Sequence, residues 1–123
     1  MAVTKSTTPT ALGGTLVVDL DADASIENNV TAATSGSIYI VDIDNSANAS
    51  TAAYLRIVDA ASAVNVAVTH TWLFYVPAGH RTSYMMDDGL AYSAGVTVWC
   101  TTNPAAGNGD APANPVVVRL VVS

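Results

Sequence analysis

The sequence predicts an all-β fold, an antiparallel β-sandwich of seven or eight strands, and three observations lead to this prediction. Val and Thr are abundant while Leu, Glu and Lys are scarce, and β-branched residues pack well on a pleated sheet. Short apolar runs recur about every ten residues with turn residues between them, as in antiparallel sandwiches rather than βαβ units. No segment has a convincing helical period. Jelly-roll and immunoglobulin-like strand orders both remain open.

The chain length and the character of its first residues predict one domain with an N-terminal extension. A chain of 123 residues is expected to form a single domain. Residues 1–14 combine Pro9, Gly13 and Gly14 with many threonines, and they lack the apolar core of a secretory signal. This composition predicts a flexible, extended arm that orders on contact with another surface. The sandwich domain is then formed by residues 15–123.

Seven segments have the composition and alternation of strands, and a short eighth is added by Leu90–Tyr92. The seven are Thr15–Leu20, Ser37–Asp44, Ala53–Asp59, Thr71–Val76, Arg81–Met86, Val96–Thr102 and Val116–Val122. The sequence Asp87–Asp88–Gly89 predicts a turn, and the proline-rich residues 103–115 predict a loop outside the sheets. Residues 21–34 have helical spacing of Ile26 and Val30, but their two asparagines make a short strand or a turn an equal alternative.

Alternation within the strands predicts which side chains face the core. Along the second strand, Ile38 and Ile40 should share one face. In Ala53–Asp59, Leu55 and Ile57 should lie opposite the other side chains. In the TWLFYV run, Trp72 and Phe74 are expected in the core and Tyr75 at an interface. The alternative for these aromatics is an exposed platform that stacks on sugar rings.

The balance of charge excludes several kinds of partner. Ten acidic and four basic residues give a net charge of −6. The bases, Lys5, Arg56, Arg81 and Arg119, are too few and too scattered to neutralise a nucleic-acid backbone or to hold an anionic membrane. No apolar run is long enough to span a bilayer. We therefore expect no nucleic-acid partner and no membrane partner.

No constellation of catalytic residues is recognisable. The single cysteine, Cys100, follows a tryptophan in a strand-like run, and we interpret it as a buried, inert thiol that suits folding in a reducing cytoplasm. His80 and Ser83 are three residues apart, which places them on opposite faces of a strand. Nothing in the sequence brings Cys100 to His70 or His80. We expect neither enzymatic activity nor a cofactor.

Two acidic runs resemble calcium-binding patterns. The D-x-D-x-D run at residues 19–23 and the D-x-D-x-S run at 42–46 place carboxylates two apart, on one face of a strand. Both runs lack the glycine at the sixth position and the glutamate at the twelfth position of an EF-hand loop. We interpret these acids as solvated strand-end residues that discourage edge pairing, and we assign no metal site.

From Ala53 onward the chain resembles a known family. The motifs that carry the resemblance are AYLRIVDAASAV at residues 53–64, FYVPAGHRTSY at 74–84 and GLAYSAGVTVWCTTN at 89–103. In order and pattern they are similar to the small β-sandwich virion proteins of tailed bacteriophages, especially cyanophages and marine phages. The Pro-Ala-Gly corner and the Gly-Leu-x-Tyr-Ser-x-Gly step are the most specific of these features.

The resemblance implies a non-enzymatic capsid decoration or cement protein. Such a protein binds the shell of major capsid protein on the virion surface, often as a homotrimer, after synthesis in the host bacterial cytoplasm. It alternatively implies a tail or head-fibre component, or a host-glycan-binding module. The candidate interface consists of Val3, Thr4, Lys5, Thr7, Thr8, Pro9, Thr10 and Leu12 of the arm, together with Tyr75 and Arg81.

Overall fold

The computed structural model describes residues 3–7, 14–32, 34–62, 71–105 and 109–123. This part of the chain forms eight strands and no helix, so the predicted all-β fold is confirmed. The strands are β1 (Val3–Thr7), β2 (Thr15–Ala22), β3 (Gly36–Asp44), β4 (Ala53–Asp59), β5 (Trp72–Val76), β6 (Arg81–Tyr92), β7 (Val96–Thr101) and β8 (Val116–Val122). Among the described residues, no helix is long and apolar enough to cross a bilayer.

The order of the strands is that of a jelly roll. A five-stranded sheet has the order β1-β2-β8-β3-β6, and a three-stranded sheet has the order β5-β4-β7. The segment between β2 and β3 runs beside β7, where Glu27 bridges to Val98. Antiparallel pairs are therefore nested, with β2 on β8, β3 on β6 and β4 on β5. This nesting is the jelly-roll arrangement and differs from the immunoglobulin order.

The core lies between the two sheets and is built from alternate residues of their strands. The largest aliphatic side chains in it are Ile38, Ile43, Leu55, Ile57 and Leu120. The predicted inward face of β4 is thus confirmed. On β5, Phe74 is buried, Trp72 is partly buried against the core and Tyr75 is exposed, as the alternation predicted. Burial of such side chains is the main stabilising contribution to a sandwich.

Strand β7 is buried on both sides along its whole length. One face, with Cys100, enters the core, while Trp99 on the other face packs with Val58 and Ile26. Residues 23–30 cover its edge, because the Cys100 amide donates to the Asp23 carbonyl at 2.7 Å and two further backbone bonds join Glu27 to Val98. Within the ambiguous segment 21–34, residues 23–30 therefore form a cover for the edge of β7.

The predicted turn at residues 87–89 is wrong, since β6 continues through it as a β-bulge. The pairing of β6 with β3 changes from Met85 opposite Ile40 to Leu90 opposite Ile38, and the extra residues loop out. Gly89 takes a left-handed φ of 76°, and a Cβ there would lie 2.7 Å from the Cβ of Ser37. A bulge and a hairpin turn both need a residue with a left-handed φ, which glycine adopts most easily.

An irregularity in β3 itself changes the faces of that strand, because its register with β8 shifts between Ile38 and Ile40. Ile38 lies with Val41 and Ile43 in the core, whereas Ile40 is only partly buried and lies beside Met85. The predicted shared face of Ile38 and Ile40 is therefore wrong. A one-residue shift in a strand moves a side chain to the other face.

Part of the predicted arm lies in the sheet. Val3–Thr7 form β1, which pairs with β2 from Val3 opposite Asp19 to Thr7 opposite Thr15. In the described part of the chain, β1 is the outermost strand on this side of the five-stranded sheet. Residues 1–2 and 8–13 of the predicted arm lie outside the described residues, and the side chains of residues 5–7 are likewise outside them.

Candidate interaction surfaces

The described side chains considered as catalytic candidates are either buried or engaged in contacts with other groups of the protein. Cys100 is fully buried, and burial raises the pKa of its thiol far above the ordinary value, so the reactive thiolate is suppressed. The hydroxyl of Ser83 donates to Asp42 at 2.7 Å, while Nδ1 of the exposed His80 lies 2.7 Å from the Ala78 carbonyl oxygen. His70 lies outside the described residues. No pocket is found in the part of the chain that is described.

The acidic runs differ from their sequence interpretation. Asp19 and Asp42 are only 3% and 6% exposed, so the interpretation as solvated strand-end residues is wrong for both. Burial raises the pKa of Asp19, and its Oδ1 accepts a hydrogen bond from the Asp21 amide. Asp23 likewise caps the Ser25 amide at 2.8 Å. No group of three metal-ligating side chains comes together among the described residues.

An apolar row crosses the outer surface of the five-stranded sheet. Leu16 pairs with Val121, which pairs with Ile40, which pairs with Met85. Their chain neighbours point into the core, so these four side chains point outward. The first three are partly exposed, and Met85 is 67% exposed. A continuous apolar row on four strands is unusual for a surface that faces only water.

A charged network lies beside the apolar row. Arg81 donates to the carboxylate of Asp42 through Nε at 3.1 Å and Nη2 at 2.7 Å, and Nη1 of Arg119 lies 3.6 Å from the same group. Burial raises the pKa of Asp42, but hydrogen bonds from Arg81 and Ser83 outweigh it and the net pKa is lowered. The pKa of neighbouring Asp44 is also lowered, mainly by hydrogen bonds from Ser46.

These two features define one surface, the large-sheet face. It consists of Leu16, Ile40, Asp42, Asp44, Arg81, Met85, Arg119 and Val121. Its two arginines balance its two aspartates, so the face is neutral on a chain with a net charge of −6. The surface thus combines exposed apolar area with charges that are already paired.

The outer surface of the three-stranded sheet presents aromatic and apolar side chains. Tyr75 is 45% exposed and Leu73 is 37% exposed, both on β5. The ring of Tyr54, on the neighbouring strand, lies with its centroid 5.3 Å from that of Tyr75 at an angle of 47°. We call Tyr54, Leu73 and Tyr75 the small-sheet face. Tilted rings at this separation attract each other and hold each other in place.

On the same side of the sheet, opposite Leu73 on the neighbouring strand, lies a fully buried arginine. Arg56 is 0% exposed; its Nε donates to the hydroxyl of Thr101 at 3.0 Å, and its Nη2 donates to the carbonyls of Asn103 and Ala105 at 2.5 and 2.7 Å. Burial lowers the pKa of the guanidinium. The side chain fixes the loop after β7 to the sheet. Sequence reasoning missed this role, because it counted Arg56 only as one scattered base.

The open edge of the sandwich between β5 and β6 is closed by aromatic contacts. The rings of Phe74 and Tyr84 are 5.1 Å apart, and the hydroxyl of Tyr84 donates to the carbonyl of Tyr75. The Tyr75 backbone is thereby tied to the opposite sheet. Its exposed ring is therefore carried by a fixed strand rather than by a loop.

The predicted interface residues do not lie on a single surface. Tyr75 is on the small-sheet face and Arg81 is on the large-sheet face, at opposite sides of the sandwich. Val3, Thr4, Lys5 and Thr7 lie on β1, at a third position along the sheet edge. Thr8, Pro9, Thr10 and Leu12 are outside the described residues.

Comparison with known proteins finds no matching protein family, no matching curated protein and no matching solved structure.

Proposed function

We propose that the chain is a non-enzymatic structural protein of a bacteriophage virion, a decoration protein that binds the major capsid protein shell and stabilises it. It is made in the host bacterial cytoplasm and acts on the capsid surface. The resemblance of residues 53–103 to small phage virion proteins supports this proposal. The jelly roll agrees with it, because the fold is a frequent one in viral capsid proteins, although a fold alone does not determine function.

The small-sheet face is the observation that carries the proposal. Tyr75 and Leu73 are exposed on a strand whose backbone is tied down by Tyr84, and Arg56 beside Leu73 holds the loop after β7 on the same side of the sheet. Aromatic residues on a rigid support lose little conformational entropy when a partner covers them. Tyrosine is also among the side chains enriched at protein interfaces. We therefore assign shell binding to this face.

Co-sedimentation with capsid shells that lack the protein tests the proposal. Saturable binding at a fixed number of copies per capsid subunit is expected. Tyr75→Ala should weaken the affinity about tenfold, which corresponds to about 1.4 kcal/mol for an interface residue of moderate importance. Tyr75→Phe is the matched control, since it keeps the ring and the buried area, and it should bind as the wild type does. Absence of saturable binding would contradict the proposal.

The second candidate is a tail or head-fibre component that reads host glycans. The observation that favours it is the Tyr54–Tyr75 ring pair, because aromatic faces stack on sugar rings. Binding of the protein to purified host surface polysaccharide distinguishes the two functions. For the glycan reader, Tyr75→Ala and Tyr54→Ala should both abolish polysaccharide binding, and shells should not bind.

A further inference from the structure

We propose that the large-sheet face is the surface through which two copies of this chain associate, as a twofold dimer. This inference goes beyond shell binding and replaces the homotrimer that the resemblance implies. It rests on three properties of the described surface: the apolar row, the location of the exposed basic side chains, and the placement of opposite charges along β6.

The apolar row supplies the contact area. Leu16, Val121, Ile40 and Met85 form a stripe across four neighbouring strands, and Met85 is the most exposed large apolar side chain described. Stripes from two copies that face each other would be removed from water together. Burial of apolar area is the main driving force of such association.

The distribution of charge indicates a second copy of the chain as the occupant. Among the described side chains, the basic residues that reach the surface are the exposed Arg81 and the partly exposed Arg119, and both belong to the large-sheet face. Acids on other parts of the described surface include Asp21, Asp23, Glu27, Asp59 and Asp110. Two copies that met through those regions would bring like charges together, whereas the large-sheet face carries basic side chains that can oppose acids of the other copy.

Strand β6 carries complementary charges at separate positions. Arg81, at its first residue, is 56% exposed in its side chain, while Asp87 and Asp88 are exposed at the bulge further along. A twofold axis that crosses β6 near Met85 places Arg81 of each copy over the bulge of the other. In such an isologous contact every pair of contacting residues occurs twice. The contact between Arg81 and the bulge acids therefore forms at two symmetric positions.

The size of the face sets the expected strength. Five strands about 4.8 Å apart and about seven residues long give a surface of about 24 by 23 Å. Covering this surface on both copies buries about 1,100 Å² in total, near the lower limit for a specific interface. We therefore expect a dimer with a dissociation constant in the micromolar range, roughly 1–100 µM.

Sedimentation velocity of the purified chain without shells tests this inference. The expected result is a reversible monomer–dimer equilibrium. Met85→Asp should weaken it at least about tenfold, because it places a charge in the apolar row. Leu73→Asp is the matched control on the small-sheet face, and it should leave the equilibrium unchanged. A wild-type chain that stays monomeric to about 1 mM, a trimer, or a dimer that Met85→Asp does not weaken would each overturn the proposal.

A second variant tests the charge pairing at exposed positions where folding is not at risk. Replacing both bulge acids, Asp87→Lys with Asp88→Lys, sets positive charge against Arg81 of the other copy. It should weaken the dimer several-fold at low salt and less at high salt, since salt screens exposed charges. A stronger dimer at low salt would contradict the twofold arrangement. Neither measurement involves shells, so failure here is distinguishable from failure of shell binding.

Discussion

The two outer faces of the sandwich place their arginines at different depths. On the large-sheet face, Arg81 and Arg119 are at the surface and share the carboxylate of Asp42. On the small-sheet face, Arg56 is covered and donates to backbone carbonyls of a loop. The charges of the large-sheet face can therefore respond to salt, to pH and to a second molecule. The charge of Arg56 only holds the loop after β7 against the small sheet.

This difference gives each face its own kind of partner contact. Contacts made by Tyr75 and Leu73 depend on apolar area and should be insensitive to salt. Contacts made by the large-sheet face include exposed charges, which salt screens. The salt dependence of shell binding and of self-association should therefore differ, and each of the following changes alters one face more than the other.

The largest expected effect comes from Arg56→Met. It removes the donors to Thr101, Asn103 and Ala105, and unsatisfied buried acceptors cost about 1–3 kcal/mol each. We expect a loss of about 3 kcal/mol in the free energy of unfolding, which lowers the melting temperature by roughly 10 °C. Arg56→Lys, the control that keeps the charge, should fall between the variant and the wild type. Chemical unfolding with urea measures both, and a near-neutral Arg56→Met would show that the arginine does not hold the loop after β7 against the small sheet.

Deletion of residues 1–12 should have a smaller effect. It removes β1, which in the described part of the chain pairs with β2 alone. The domain should stay folded and lose roughly 2 kcal/mol, a few net backbone hydrogen bonds. Because the large-sheet face narrows by one strand, the dimer should weaken while shell binding through Tyr75 persists. Circular dichroism and sedimentation check this, and loss of shell binding alone would instead assign the shell contact to the predicted arm.

The smallest stability change is expected from Asp42→Asn, about 1–2 kcal/mol, because its arginine partners are partly solvated. The folded-state pKa of Asp42 is lowered, so its contribution is present above the unfolded pKa, about 4, and is lost as pH falls through the folded value. The wild type and the variant should therefore differ in stability at pH 7 and converge as the pH falls through the lowered folded-state pKa of Asp42. Urea unfolding at a series of pH values measures the difference, and a gap that does not change with pH would contradict this role of the carboxylate.

Local patterns predicted most strands closely. Ala53–Asp59 and Val116–Val122 are strands at the predicted bounds, because both are short runs of mostly β-branched and aliphatic residues, which suit a pleated sheet. Between Met86 and Leu90 the prediction was wrong for a local reason. The Asp-Gly pair specifies a left-handed glycine, and a bulge within one strand satisfies that requirement as well as a hairpin does.

Contacts between distant residues were not predictable. Arg56 is buried because carbonyls from residues 103 and 105 reach it, and no local pattern connects these positions. Asp19 faces inward opposite Val118 although Asp21 and Asp23 follow it closely in the sequence. The apolar row became visible only when the register of four strands was known, since each strand contributes one residue to it. Of the predicted interface, Tyr75 and Arg81 are exposed, but the sequence did not separate their faces.

Because Cys100 is buried, the reactivity of its thiol can be used to measure how often the sandwich opens. It is the single thiol of the sequence, it is buried in a strand covered on both sides, and a thiol reagent can reach it only when the sandwich opens. The rate of its modification under native conditions therefore measures the free energy of that opening, without any introduced label. A capsid shell or a second copy that binds only the closed form would slow the modification of Cys100, and tighter binding would slow it more.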